Sequence, residues 1–143
     1  MLFHSKIKAL PQKLADLFVP MTAAFAFLVG GSIYVIWRPD GLQMFRWFEQ
    51  LGLQYAIAGV RDLGQPAQHL VAPWIIYSLP QALWTGALVL LLSWMWRHET
   101  LAWRGAIFLV ASLIGHAPEI GQLLGLVPGV FDPLDFLLCI VAI

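Results

Sequence analysis

Three long apolar runs, 17–37, 79–96 and 102–117, constrain this chain more than any other feature. They carry almost no charge, and each approaches the roughly 20 residues that a helix needs to cross a bilayer. At about 1.5 Å rise per residue such runs measure roughly 25 to 32 Å, close to the thickness of a hydrocarbon core. The pattern predicts an all-α polytopic membrane bundle: one membrane domain spanning 1–143, with three full transmembrane helices, a fourth C-terminal helix over 133–143 and an interfacial amphipathic helix over 41–58.

Of the 143 residues, 60% are hydrophobic and 11% charged, whereas ordinary soluble domains carry about a quarter charged residues. Lys and Arg number 8 and Asp and Glu also 8, so the net charge is zero. The basic residues are scattered and leave no electrostatic footprint for nucleic acid. The single cysteine, Cys139, has no partner for an internal disulfide and falls in the last apolar run, as a small packing residue does. The N-terminal lysines followed by an apolar run resemble a signal peptide, but the run ends in Ile36-Trp37-Arg38 and not in a small-residue cleavage site, which favours an uncleaved anchor.

Positive charge orients the spans. Lys6, Lys8 and Lys13 precede the first run and place the N-terminus in the cytoplasm; Arg97 and Arg104 then flank a second cytoplasmic connection, and residues 116–130, without Lys or Arg, fall outside. Trp37, Trp94, Trp96 and Trp103 sit at the ends of the runs, where indole rings favour the headgroup level. Ser78-Leu79-Pro80-Gln81 reads as a capping box that starts the second span at Leu79. Asp40-Gly41-Leu42-Gln43 reads as a similar start. It is followed by Leu42, Phe45, Phe48, Leu51 and Tyr55 on one face and by Gln43, Arg46, Gln50 and Gln54 on the other. That helix lies in the membrane plane or packs as a lid on the bundle. The stretch 70–77 is too short to cross alone and leads into the second span. Thr22, Ala26 and Gly30 recur every four residues as a helix-packing stripe. The last helix, from Asp132-Pro133 to Ile143, is also too short to cross, so either it is a half-span or the chain continues.

Chemistry concentrates at the end of the third run. Ser112, His116, Glu119 and Gln122 follow at spacings of four, three and three and share one helical face, with Pro118 expected to kink the helix or start a new one. Polar residues at such depth usually face the bundle interior. Asp132 and Asp135 follow on the same side, in an arrangement that also suits an N-cap and a first-turn carboxylate. His116, Glu119, Asp132 and Asp135 would suit a hard cation better than zinc, but no second histidine accompanies them, and neither a metal nor another cofactor is expected. The chain has no phosphate loop, paired-histidine zinc motif or serine elbow.

Glu119-x-x-Gln122, the loop with Gly129, and Phe131-Asp132-x-x-Asp135 together resemble the C-terminal signature of VanZ-like proteins, small polytopic proteins of bacterial membranes whose founding member is linked to glycopeptide antibiotic tolerance. Tyr77-Ser78-Leu79-Pro80 with Leu83-Trp84 is similar to a segment of small bacterial proteins of this general type. Where the family often carries a polar residue one turn after the last aspartate, this chain has Leu138 and Cys139. The resemblance implies a bacterial inner-membrane location and supplies no activity.

Three functions stay open. The cluster Ser112, His116, Glu119, Gln122, Asp132 and Asp135 binds the headgroup of a membrane lipid or lipid-linked envelope precursor, with Arg38, Arg46 and Arg61 available to pair with the carboxylates or a phosphate. Alternatively, the chain is an accessory subunit packed against a larger membrane complex through its small-residue stripe and amphipathic helix. In the third reading it is an intramembrane enzyme on a lipid-linked substrate, with Glu119 as acid or base.

Overall fold

The computed structural model describes residues 3–127 and 130–143, with side chains described from residue 16 onward. The side chains of Lys6, Lys8 and Lys13, on which the cytoplasmic N-terminus rests, and Gly129 of the family signature lie outside the described residues. The described chain is all helical, with no strand. Its elements are α1 (Phe3–Trp37), α2 (Gln43–Gln50), α3 (Gln54–Gly64), a 3-10 turn (Gln65–Leu70), α4 (Pro73–Tyr77), α5 (Leu79–Met95), α6 (Leu101–Leu123) and α7 (Pro133–Ala142).

Two segments are long and apolar enough to cross a membrane: Asp16–Trp37 of α1 and the whole of α6. Helix α5, with 17 residues, and α7, with 10, are shorter apolar helices. Phe18, Met21, Phe25 and Leu28 on α1, and Leu109, Leu113 and Ile114 on α6, are all more than half exposed. Large apolar side chains directed outward in this number are compatible with a membrane protein.

Helix α5 is the centre of the bundle and packs against α1, α6 and α7. Beyond Pro80 in its first turn, its buried positions are small or short: Ala82, Thr85, Gly86, Ala87 and Val89. Small residues let neighbouring backbones close in, which supplies van der Waals contact where apolar surroundings offer no hydrophobic driving force between helices. Helix α1 runs antiparallel to α5, since Arg97 pairs with Asp16 at 3.1 Å near one end and the Tyr34 ring lies tilted against Trp84, centroids 5.3 Å apart, towards the other. Gly30 makes this possible, because a Cβ there would lie 2.8 Å from Trp84 Nε1 and 3.2 Å from the Pro80 carbonyl. The indole instead reaches past it and donates to the Phe27 carbonyl at 3.2 Å. Ala23 and Gly30 are buried on this face, while Thr22 and Ala26 are half-buried. Helix α6 returns antiparallel to α5, and α7 runs alongside α5 in the same direction, with Cys139 beside Thr85 and Ala142 beside Gly86.

The single helix expected over 41–58 is two. Helix α2 stops at Leu51, and Gly52 takes a left-handed backbone (φ +72). Gly52 N–H then donates to Glu49 O at 3.0 Å and Leu53 N–H to Phe48 O at 2.8 Å, the paired bonds of a Schellman stop. The same device ends α6: Gly125 (φ +68) donates to Gln122 O at 3.0 Å and Leu126 to Gly121 O at 2.8 Å. Both stops carry the tripeptide Leu-Gly-Leu, with glycine at the one position where a Cβ is penalised.

Three other expected caps or breaks differ, although α5 starts at Leu79 as expected. Asp40 does not cap α2, whose N-cap is Leu42 with no side-chain bond; Asp40 instead pairs with Arg61 at 2.8 Å. Ser78 does not form a capping box with Gln81, because its backbone is already helical where α4 runs into α5, and Gln81 turns to the α6 backbone. Helix α6 does not end or restart at Pro118 but passes through it to Leu123. Pro118 is exposed, so its ring stays clear of the α5 and α7 contacts, and the inward residues on either side of it keep one helical register.

The pair α2 and α3 is fastened to the C-terminal end of α1. Arg61 of α3 donates to the Val35 and Arg38 carbonyls at 2.7 and 2.9 Å, Gln65 Nε2 to Ile36 O at 3.4 Å, and Trp37 Nε1 to Gly64 O at 2.9 Å. These bonds occupy carbonyls that a helix end leaves without partners, and a cation there also favours the helix dipole. Arg61 further stacks on Phe45, 4.9 Å from the ring centre.

Candidate functional site

Helix α6 turns His116 and Glu119 towards the interior, where they are 7% and 4% exposed. Their spacing of three places both on the face that meets α7. Glu119 Oε2 accepts the backbone N–H of Asp132 at 3.3 Å, tying the end of α6 to the start of α7. Asp132 itself is the N-cap of α7: its exposed carboxylate accepts Leu134 N–H at 2.8 Å, with Pro133 in the first turn, where no donor is needed. The half-buried Asp135 lies one turn on, with its Oδ1 buried and without a hydrogen-bond partner.

His116 Nδ1 lies 2.8 Å from the Ser112 carbonyl. A carbonyl only accepts, so Nδ1 carries the proton in this bond. The other ring nitrogen, Nε2, is buried and has no partner. The ring meets the edge of Phe136, with centroids 4.9 Å apart at 73°. Ser112 Oγ is satisfied within its own helix by Phe108 O at 2.8 Å, and Gln122 is half-buried at the end of the stripe.

Helix α5 contributes residues that the sequence did not single out for a site. Ser78 is 1% exposed with its hydroxyl unpartnered. Gln81 Nε2 donates to the Gly115 carbonyl at 3.1 Å. Thr85, also buried, approaches Cys139 Sγ at 3.6 Å. Positions 78, 81 and 85 follow at spacings of three and four and form one polar face, a signal present in the sequence but read there as a helix cap.

The arginines lie elsewhere. Both ion pairs among the described residues, Arg61 with Asp40 and Arg97 with Asp16, are outside this polar cluster, and neither involves Glu119 or Asp135. The expected pairing of Arg61 with the carboxylate cluster is therefore replaced by its bonds to α1 and Asp40. Arg38 sits 5.3 Å from the Tyr34 ring centre and 5.2 Å from that of Tyr77. Arg46 faces a cleft of about 490 Å³ between α2 and α3. Among the described residues, no group of three or more His, Cys, Asp and Glu side chains is placed to hold a metal ion.

The node is thus a buried polar cluster at the junction of α5, α6 and α7, rich in hydrogen-bond acceptors. Comparison with family models, with curated proteins and with solved structures finds no match to this chain.

Proposed function

We propose that this chain is a VanZ-like multi-pass protein of the bacterial cytoplasmic membrane, in which α1, α5 and α6 cross the bilayer and the node holds the polar headgroup of a lipid or lipid-linked envelope precursor. The observation that carries the reading is that three of the five buried polar atoms without partners among the described residues, Ser78 Oγ, His116 Nε2 and Asp135 Oδ1, belong to the helices that meet at this junction, the other two being Arg38 Nε and Trp94 Nε1. Buried polar groups are nearly always paired, and an orphan costs about 1 to 3 kcal/mol, so this concentration supports a polar ligand there. With the N-terminus in the cytoplasm, the node faces the outer leaflet, where such headgroups are displayed.

Glu119→Gln tests the reading. It keeps an oxygen for the Asp132 N–H and removes the charge. The variant is expected to insert and fold like the parent, yet to lose lipid retained through mild detergent extraction, as read by native mass spectrometry. Retention equal to the parent's would refute a headgroup role for this node.

A second reading, the accessory subunit, is favoured by one feature, an apolar groove of about 440 Å³ along α1 and α5 lined by Pro20, Ala24, Phe27, Leu88 and Leu91. A partner helix seated there would appear as added protein mass in the same measurement. A lone lipid-bound chain speaks against it.

A further inference from the structure

Resting on the headgroup reading, we infer that the node selects a positively charged hydrogen-bond donor of the primary-ammonium class, as in an ethanolamine headgroup. The unpartnered atoms decide this. His116 donates through Nδ1 to Ser112, which leaves Nε2 of the neutral ring as a bare acceptor. Asp135 Oδ1 is an acceptor, and the Ser78 hydroxyl can accept as readily as donate. The three residues lie at the N-cap of α5 and on α6 and α7, helices that pack on one another. Gln81, one turn along the Ser78 face, reaches Gly115 beside His116, and Phe136 beside Asp135 packs on the His116 ring.

Charge points the same way. Glu119 is buried beside the start of α7, Asp132 and Asp135 lie within electrostatic reach of it, and the ion pairs of the described residues lie elsewhere. Three carboxyl groups this close to one another favour a cation among them. A phosphate would meet two acceptors and negative charge, with the Ser78 hydroxyl as the one unpartnered donor among the three. A quaternary ammonium carries the charge but has no N–H for Nε2 or Oδ1. A primary ammonium supplies both the charge and three donors. Asp135 and Gln122 are half-buried.

The test uses the full chain in mild detergent, titrated with phosphatidylethanolamine, phosphatidylcholine and phosphatidylglycerol of matched acyl chains, with bound lipid counted by native mass spectrometry. Loss of hydrogen bonds to a charged group sets the expected preference for ethanolamine over choline at about tenfold. Asp135→Asn, nearly isosteric, is expected to erase that preference. Ser78→Ala, which removes a hydroxyl with no partner in the protein, is expected to reduce it and keeps the test alive should the first variant fail to fold. Equal retention of the three lipids, or a preference for phosphatidylglycerol, that still depends on Glu119 overturns the ammonium assignment and leaves the headgroup reading standing. A preference unchanged in both variants places it outside the node and overturns the assignment. No retention of any lipid by the parent removes the headgroup reading itself.

Discussion

Replacing Gly115 with alanine places a methyl group at the tightest point between α5 and α6. The new Cβ would overlap Thr85 Cγ2 and lie 2.8 Å from its Oγ1 and 3.1 Å from its Cβ. Threonine is stiff at χ1, and rotating it away would break the approach of Oγ1 to Cys139 Sγ at 3.6 Å. Overpacking of this kind costs about 1 to 3 kcal/mol, and alanine's better helix propensity returns about 1, so the net loss is up to about 2 kcal/mol. For a chain of this size that corresponds to a fall in Tm of up to roughly 10 °C. Gly105 is the internal control. It sits on the same helix with nothing within 4 Å of an added Cβ, so Gly105→Ala is expected to raise Tm slightly. Thr85→Ser combined with Gly115→Ala removes the overlapping methyl, keeps the hydroxyl and should recover most of the loss. Thermal melts followed by circular dichroism in mild detergent give all three values. If Gly115→Ala melts with Gly105→Ala, the close approach of α5 and α6 is wrong.

Arg61→Gln should loosen α2 and α3 by about 2 to 3 kcal/mol, because it removes charge-assisted bonds to the Val35 carbonyl of α1 and the Arg38 carbonyl just past its end, whereas Asp40→Asn should stay within about 1 kcal/mol, since that carboxylate is 80% exposed. Hydrogen exchange over residues 40–64 separates the two, and equal protection in both variants would contradict the structure. Gly52→Val is expected to cost about 1 to 2 kcal/mol through its left-handed backbone, and Gly52→Asn clearly less; melts that rank them the other way would count against the Schellman stop.

The helical class was readable in the apolar runs, and so was the polar stripe of α6, because a period of 3.6 fixes which residues share a face. The α7 cap was readable too, since Asp132-Pro133 carries its own local chemistry. What escaped were outcomes decided between segments. Ser78 and Gln81 match a capping box by spacing, yet α4 runs into α5 without needing one, and the Gln81 amide finds the Gly115 carbonyl across the helix interface. Asp40 looks like a helix start until Arg61, far along the chain, claims it. The end of α2 lay within reach of sequence reasoning, because Leu51-Gly52-Leu53 repeats at Leu124-Gly125-Leu126 and glycine flanked by leucines is what a Schellman stop uses. The hydrophobic stripe continuing from Leu51 to Tyr55 concealed it.

The fastening of α2 and α3 to α1 rests on a sheltered guanidinium. That of Arg61 is 14% exposed, so bulk ions reach little of it beyond its outer bond to Asp40. A change in salinity will therefore not release this amphipathic pair. It behaves as fixed masonry at that end of the bundle and not as a hinged flap.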